Sequence, residues 1–183
     1  MSALFPRAVF FDRDGVVNVS PGPGYVTSVR EFVFMPGIVS ILSWCRAQGF
    51  KTVLVTSQQG VGKGLMTPSA LDEIHSHMQR ELRLHGAFFD SIQACTGLDG
   101  QCDCRKPAPK MVFDAAAELG GLDLAGSALV GDHDRDIVMA RNAGVGFAIR
   151  LAGENVVKEE GDFLAHSLEE VFAALQNWHT TRP

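Results

Sequence analysis

Asp12 and Asp14 follow directly on the apolar run Ala8, Val9, Phe10 and Phe11, and Gly15 comes next. Four apolar residues bounded by polar ones have the length and composition of a buried strand. Residues two apart on extended chain point the same way, so both carboxylates can face one small volume, and Gly15 lets the backbone turn sharply behind them. Carboxylates that close repel unless a cation lies between them, and Mg2+ suits an all-oxygen site with few protein ligands and a phosphate. A solvated turn that holds two acids by chance is the competing reading of so short a motif.

Further polar clusters also end apolar runs. Lys51 to Val55 leads into Thr56, Ser57 and Gln58; a run around Phe88 to Ala94 leads into a loop with Cys95, Cys102, Cys104, Arg105 and Lys106; Ser127 to Val130 leads into Gly131 and Asp132. Another apolar run spans Val145 to Leu151, and a short one spans Phe32 to Phe34. Helical spacing intervenes: Pro36-Gly37 opens a helix with Ile38, Ile41, Leu42 and Cys45 on one face, and Thr67-Pro68 opens one with Leu71, Ile74, Met78 and Leu82. On the latter helix, His75, His77 and His85 lie mostly off the stripe and read as surface residues. From about Lys110 a third helix carries Val112, Phe113, Ala116 and Leu119; Ser167 and Glu170 form a capping box for the last, with Leu168, Val171, Phe172, Leu175 and Trp178 inward. Strands alternating with helices predict an α/β fold, a three-layer sandwich around a mostly parallel sheet, whose ligand lies beyond the carboxyl ends of the strands. The clusters stand at those ends.

The chain has 183 residues, 46% of them hydrophobic and 20% charged, and reads as one domain over 1–183. A net charge of −5 with no long basic run argues against nucleic acid or an anionic membrane as partner. No secretory signal and no membrane-length apolar run are legible, so a cytoplasmic protein is expected. Nothing resembling heptads is present, and a monomer is expected. Of the four cysteines, Cys45 belongs to the core, and the others read as thiols or metal ligands in a reducing compartment. Gly60 to Gly64 is glycine-rich, but its spacing is not that of a P-loop.

Taken together, FFDRDGVVN, TSQQGVGKG, CDCRKPAP and GDHDRD resemble the four ordered motifs of the haloacid dehalogenase (HAD) superfamily of phosphatases. Their wording is similar to the small-cap branch that holds heptose bisphosphate and histidinol-phosphate phosphatases. The resemblance implies a Rossmann-like domain with a minimal cap and Mg2+-dependent hydrolysis of a phosphate monoester through an aspartyl-phosphate. It assigns Asp12 as nucleophile and Asp14 as general acid and then base, with Thr56 and Lys106 neutralising the transferring phosphoryl group. Mg2+ would be held by Asp12, the backbone carbonyl of Asp14 and Asp132, with Asp136 orienting the metal's waters. The expected substrate is a small phosphorylated metabolite, D-glycero-D-manno-heptose 1,7-bisphosphate cleaved at position 7, with histidinol phosphate next. A polynucleotide 3′-phosphatase and an inactive phosphate- or metal-binding module are the remaining readings.

Selectivity is expected from Asn18, Ser20 and Tyr25 on a flap over about 15–30, from Ser57 and Gln58, from Arg105 as partner of a second phosphate or polyol, and from His133. His133 stands where the resemblance leads one to expect Lys or Arg. The branch also carries a C-x-H…C-x-C zinc loop. Here Cys95, Cys102 and Cys104 remain within a loop of about 95–109, but Gly97 occupies the histidine position. Two readings stand: Zn2+ completed by Asp99, a distant histidine or water, or a degenerate site with free thiols.

Overall fold

Strand β1 (Ala8–Phe11) is buried along its whole length, because it has neighbours on both edges and both faces. On one side it pairs in parallel with β2 (Lys51–Ser57), on the other with β4 (Ala128–Gly131), placing Phe11 opposite Leu54 and Val130. The computed structural model describes residues 5–153 and 155–181. Its sheet has six strands in the order β3-β2-β1-β4-β5-β6, with β3 at Ser91–Cys95, β5 at Phe147–Leu151 and β6 at Phe163–Ala165, all parallel. Strand order grows one way from β1 to β3 and the other way from β4 to β6, so the sheet reverses its winding between β1 and β4. That reversal opens a crevice at the carboxyl ends of these two strands.

Alternation along the strands divides the core in two. Val9, Phe11, Leu54 and Val130 face one layer, built from α1 (Ile38–Ala47), α3 (Pro68–Arg83) and α6 (Leu168–Thr180). Ala8, Phe10, Val53, Val55 and Leu129 face the other, built from α4 (Lys110–Glu118) and α5 (Asp134–Ala143). A single turn, α2 (Gln59–Gly62), follows β2. The three-layer α/β expectation therefore describes the molecule, and among the described residues no helix is long and apolar enough to cross a membrane.

Several local readings are corrected. The run Phe32 to Phe34 adds no sheet strand; a 3-10 turn at Val29–Glu31 precedes it, and Phe34 only bridges Asn18. Strand β6, three residues long, has no sequence signature of its own. Helix α4 is rotated by about one position: Met111, Val112 and Ala115 are inward, while Phe113 is exposed. At Ser167 the hydroxyl does accept from Glu170 N, but the Glu170 carboxylate bonds His166 N, so the reciprocal half of the box is displaced by one residue. His75 is buried, not a surface histidine, because it packs over the fully buried Arg13.

Candidate active site

Asp12 directly follows β1 and Asp132 directly follows β4, the two strands that flank the crevice. Gly15 permits their approach: a Cβ there would lie 2.3 Å from Asp132 Oδ2, and its φ of +86° is a conformation that side chains disfavour. Asp136 lies in the first turn of α5 and reaches back, so that one oxygen each from Asp12, Asp132 and Asp136 lie within 4.8 Å of one another. Lys106, carried in by the loop after β3, sets its ammonium 2.7 Å from Asp12 Oδ1 and 2.6 Å from Asp136 Oδ1. Asp12 is 6% exposed and Lys106 4%.

Burial raises the Asp12 pKa to about 6 against the pull of the Lys106 charge, with Asp136 adding repulsion. Burial, then repulsion from Asp12 and Asp136, raises Asp132 to about 7. For Lys106, desolvation alone would lower the pKa, but Asp12 and Asp136 outweigh it and hold the ammonium above its usual value. Three carboxylates against one ammonium leave a formal charge of −2 in a nearly closed volume. An all-oxygen donor set with that imbalance fits a hard divalent cation.

Asp14 adds no carboxylate to this group. Its oxygens are held from three sides: Arg13 Nη2 donates to both, at 3.0 and 3.1 Å, Asn18 Nδ2 donates to Oδ1 at 3.0 Å, and Gln58 Nε2 to Oδ2 at 2.9 Å. Arg13 in turn lies 3.4 Å from His75 Nε2, and burial, followed by the arginine's charge, lowers the His75 pKa to about 4. Sequence reasoning missed Arg13 and His75, since an arginine between two aspartates reads as solvated and its burial is decided by α3.

Above these groups lies a cleft of about 250 Å³, lined by Asp12, Asp14, Asp132, Ser57, His133 and the flap residues Ser20, Pro21, Gly22, Gly24 and Tyr25. Arg135 and Asn155 line it too, and neither was legible as a site residue beforehand. A larger depression of about 710 Å³ between α3 and β3 holds none of these carboxylates. Convergence of charge locates the site, not size.

Of the expected substrate contacts, Ser20, Tyr25, Ser57 and His133 reach this cleft. Asn18 and Gln58 do not line it, because they are buried against Asp14. Thr56 is buried too, and its hydroxyl accepts from Gln58; Ser57 Oγ instead has no partner among the described residues. Arg105 does not line the cleft: its Nε pairs with Asp99 Oδ1 at 2.7 Å. His133 turns its ring to its own helix, where Nδ1 accepts from Arg135 N while Asp136 accepts from His133 N, a capping box for α5. Burial and the Arg135 charge lower its pKa.

Residues 103–173 match the HAD-hydrolase-like family model. A D-glycero-beta-D-manno-heptose-1,7-bisphosphate 7-phosphatase of Vibrio cholerae is 35% identical over 166 residues, covering 86% of this chain and 88% of that one. The chain belongs to the HAD-like phosphatases. This phosphatase is accordingly a phosphoric monoester hydrolase. A D-glycero-alpha-D-manno-heptose-1,7-bisphosphate 7-phosphatase of Mycobacterium tuberculosis is 37% identical over 150 residues, 79% of each chain. Among solved structures, the D,D-heptose 1,7-bisphosphate phosphatase of B. bronchiseptica, complexed with magnesium and phosphate, superposes with a TM-score of 0.81 at 32% identity over 93% of this chain and 98% of that one.

In the cysteine loop of this phosphatase one sulfur each from Cys95, Cys102 and Cys104 lie within 4.8 Å of one another, a group that could hold a metal ion, but the three are not all free thiols. Cys95 and Cys104 form a disulfide, their Cα atoms 5.6 Å apart, and Cys102 retains its thiol with Sγ 3.6 Å from that of Cys95. Two of the three sulfurs are thus withheld from a thiolate zinc site. Gly97 gives the reason for the missing fourth ligand: a Cβ there would meet Cys102 Cβ and Sγ at 2.5 Å, so a histidine has no room. Asp99, weighed as a substitute ligand, is engaged with Arg105.

Proposed function

We propose that this phosphatase is a single-domain, monomeric, cytoplasmic enzyme that removes the 7-phosphate from a D-glycero-D-manno-heptose 1,7-bisphosphate through an aspartyl-phosphate on Asp12. The observation that carries the reading is the convergence of Asp12, Asp132, Asp136 and Lys106 at the sheet's switch point, with the separately held Asp14 two residues along the chain from Asp12. Relatives bearing that heptose phosphatase name, matched over most of both chains, support the substrate. A cleft of about 250 Å³ suits a small metabolite and is ill matched to a polynucleotide track.

In the first step an Asp12 oxygen attacks phosphorus, the bond from phosphorus to the sugar oxygen breaks, and Asp14 delivers a proton to that leaving oxygen. In the second, Asp14 takes a proton from water, whose oxygen attacks phosphorus and frees Asp12 and inorganic phosphate. Lys106 faces the nucleophile and neutralises charge on the transferring group, and the unpartnered Ser57 hydroxyl is placed to donate to it. Asp12 and Asp132, backed by Asp136, would hold Mg2+. When bound, that ion offsets the carboxylate repulsion and polarises a phosphoryl oxygen.

Phosphate release with Mg2+, from the heptose 1,7-bisphosphate and from histidinol phosphate, tests the substrate. The expected result is a kcat/KM at least about tenfold higher for the bisphosphate, a difference of about 1.4 kcal/mol in transition-state binding. Equal values, or preference for histidinol phosphate, overturn it. Asp12→Asn is expected to abolish turnover with the circular dichroism spectrum retained; phosphate release at the wild-type rate from that variant overturns the mechanism.

A further inference from the structure

A bisphosphate brings a second phosphate that is bound but not cleaved, and the carboxylate floor of the cleft repels it. A cation must receive it elsewhere in the same cleft. The basic groups nearby are mostly engaged. Lys106 is buried between Asp12 and Asp136, Arg105 is paired with Asp99 away from the cleft, and Lys63 Nζ donates to Tyr25 Oη at 3.0 Å. His133 directs Nδ1 into the cap of α5.

Arg135 differs from all of these. It is the one Lys or Arg among the described residues that line the cleft, and its guanidinium makes no ion pair with any of them. Its Nε is buried without a hydrogen-bond partner among the described residues, a donor left for a ligand to satisfy. The adjacent Asp134, the obvious competitor, is taken by the backbone N–H groups of Lys158 and Glu159 and lies 3.6 Å from Arg150 Nε. Asn155 and Tyr25 stand in the same lining with polar groups for the sugar.

We infer that Arg135 is the specificity residue that holds the phosphate not hydrolysed, in the role the sequence suggested for Arg105. The inference rests on the bisphosphate reading above. A planar guanidinium can pair two phosphate oxygens at once, which explains how one side chain suffices.

The experiment compares kcat/KM for D-glycero-D-manno-heptose 1,7-bisphosphate and for the corresponding 7-monophosphate, with Mg2+, in the wild type, Arg135→Gln, Arg135→Lys and Arg105→Gln. The readout is the ratio between the two substrates, which cancels a general loss of activity. The wild-type ratio is expected to favour the bisphosphate and to fall about 10- to 100-fold in Arg135→Gln, the range for losing a charge-assisted contact. Arg135→Lys is expected to keep part of the preference, and carries the test if the glutamine variant fails to fold. A wild-type ratio near one overturns the bisphosphate reading itself. A large wild-type ratio that survives in Arg135→Gln, or that collapses in Arg105→Gln instead, overturns the assignment of Arg135 alone.

Discussion

Arg13 is shut off from solvent and directs its guanidinium at both oxygens of Asp14, with His75 behind it. A buried charge is tolerated only when paired, so the arginine's partner is also its reason for being there. The pairing makes Arg13 a positioning residue: it touches the acid–base group and lies outside the cleft lining. Arg13→Met should therefore lower kcat about 10- to 100-fold with a smaller change in KM, because a displaced proton donor costs more in the transition state than in binding. Steady-state kinetics on the preferred substrate checks this. A rise in KM with kcat unchanged would show that Arg13 binds substrate instead.

Among the elements, the connection from β3 to α4 is the most heavily committed. It closes on itself through Cys95 and Cys104, ties Arg105 to Asp99, and delivers Lys106 to Asp12. Because the disulfide removes two thiolates, the native protein is expected to carry no stoichiometric zinc. Thiol titration after denaturation without reductant is expected to find two free thiols, Cys45 and Cys102, out of four cysteines. Four thiols together with one zinc per chain would mean that the loop is a metal site after all. Helix α5 is committed in a similar way, since Asp136 caps it through His133 N while holding Lys106. One carboxylate thus joins helix start and active site.

On the scale of the whole molecule, the cluster makes stability depend on pH and on metal. Asp12 and Asp132 have folded-state pKa values of about 6 and about 7, above the 3.8 of an unperturbed aspartate. Their contribution to the stability of the metal-free protein is therefore fully present below about pH 3.8 and is lost as pH rises through 6 and 7. A divalent cation needs these groups ionised and relieves their repulsion once they are. The increase in Tm on adding Mg2+ is thus expected to be larger at pH 8 than at pH 5.5, as differential scanning fluorimetry would measure. Equal increases at the two pH values would place the ion elsewhere.

Local pattern alone determined much of this protein. The apolar runs now seen as β1, β2, β4 and β5, the faces of α1 and α3, and the placement of Asp12 and Asp132 after strands were all readable, because strand and helix periods are properties of neighbouring residues. The four ordered motifs likewise pointed to the family. Only the tertiary structure decided which charges pair. Asp12 meets Lys106 across 94 residues and Gln58 meets Asp14 across 44, and no periodicity encodes those distances. The same cause lies behind what local pattern could not give: His75, expected at the surface, is buried by Arg13 from another element, Arg105 pairs with Asp99, and Arg135 lines the cleft.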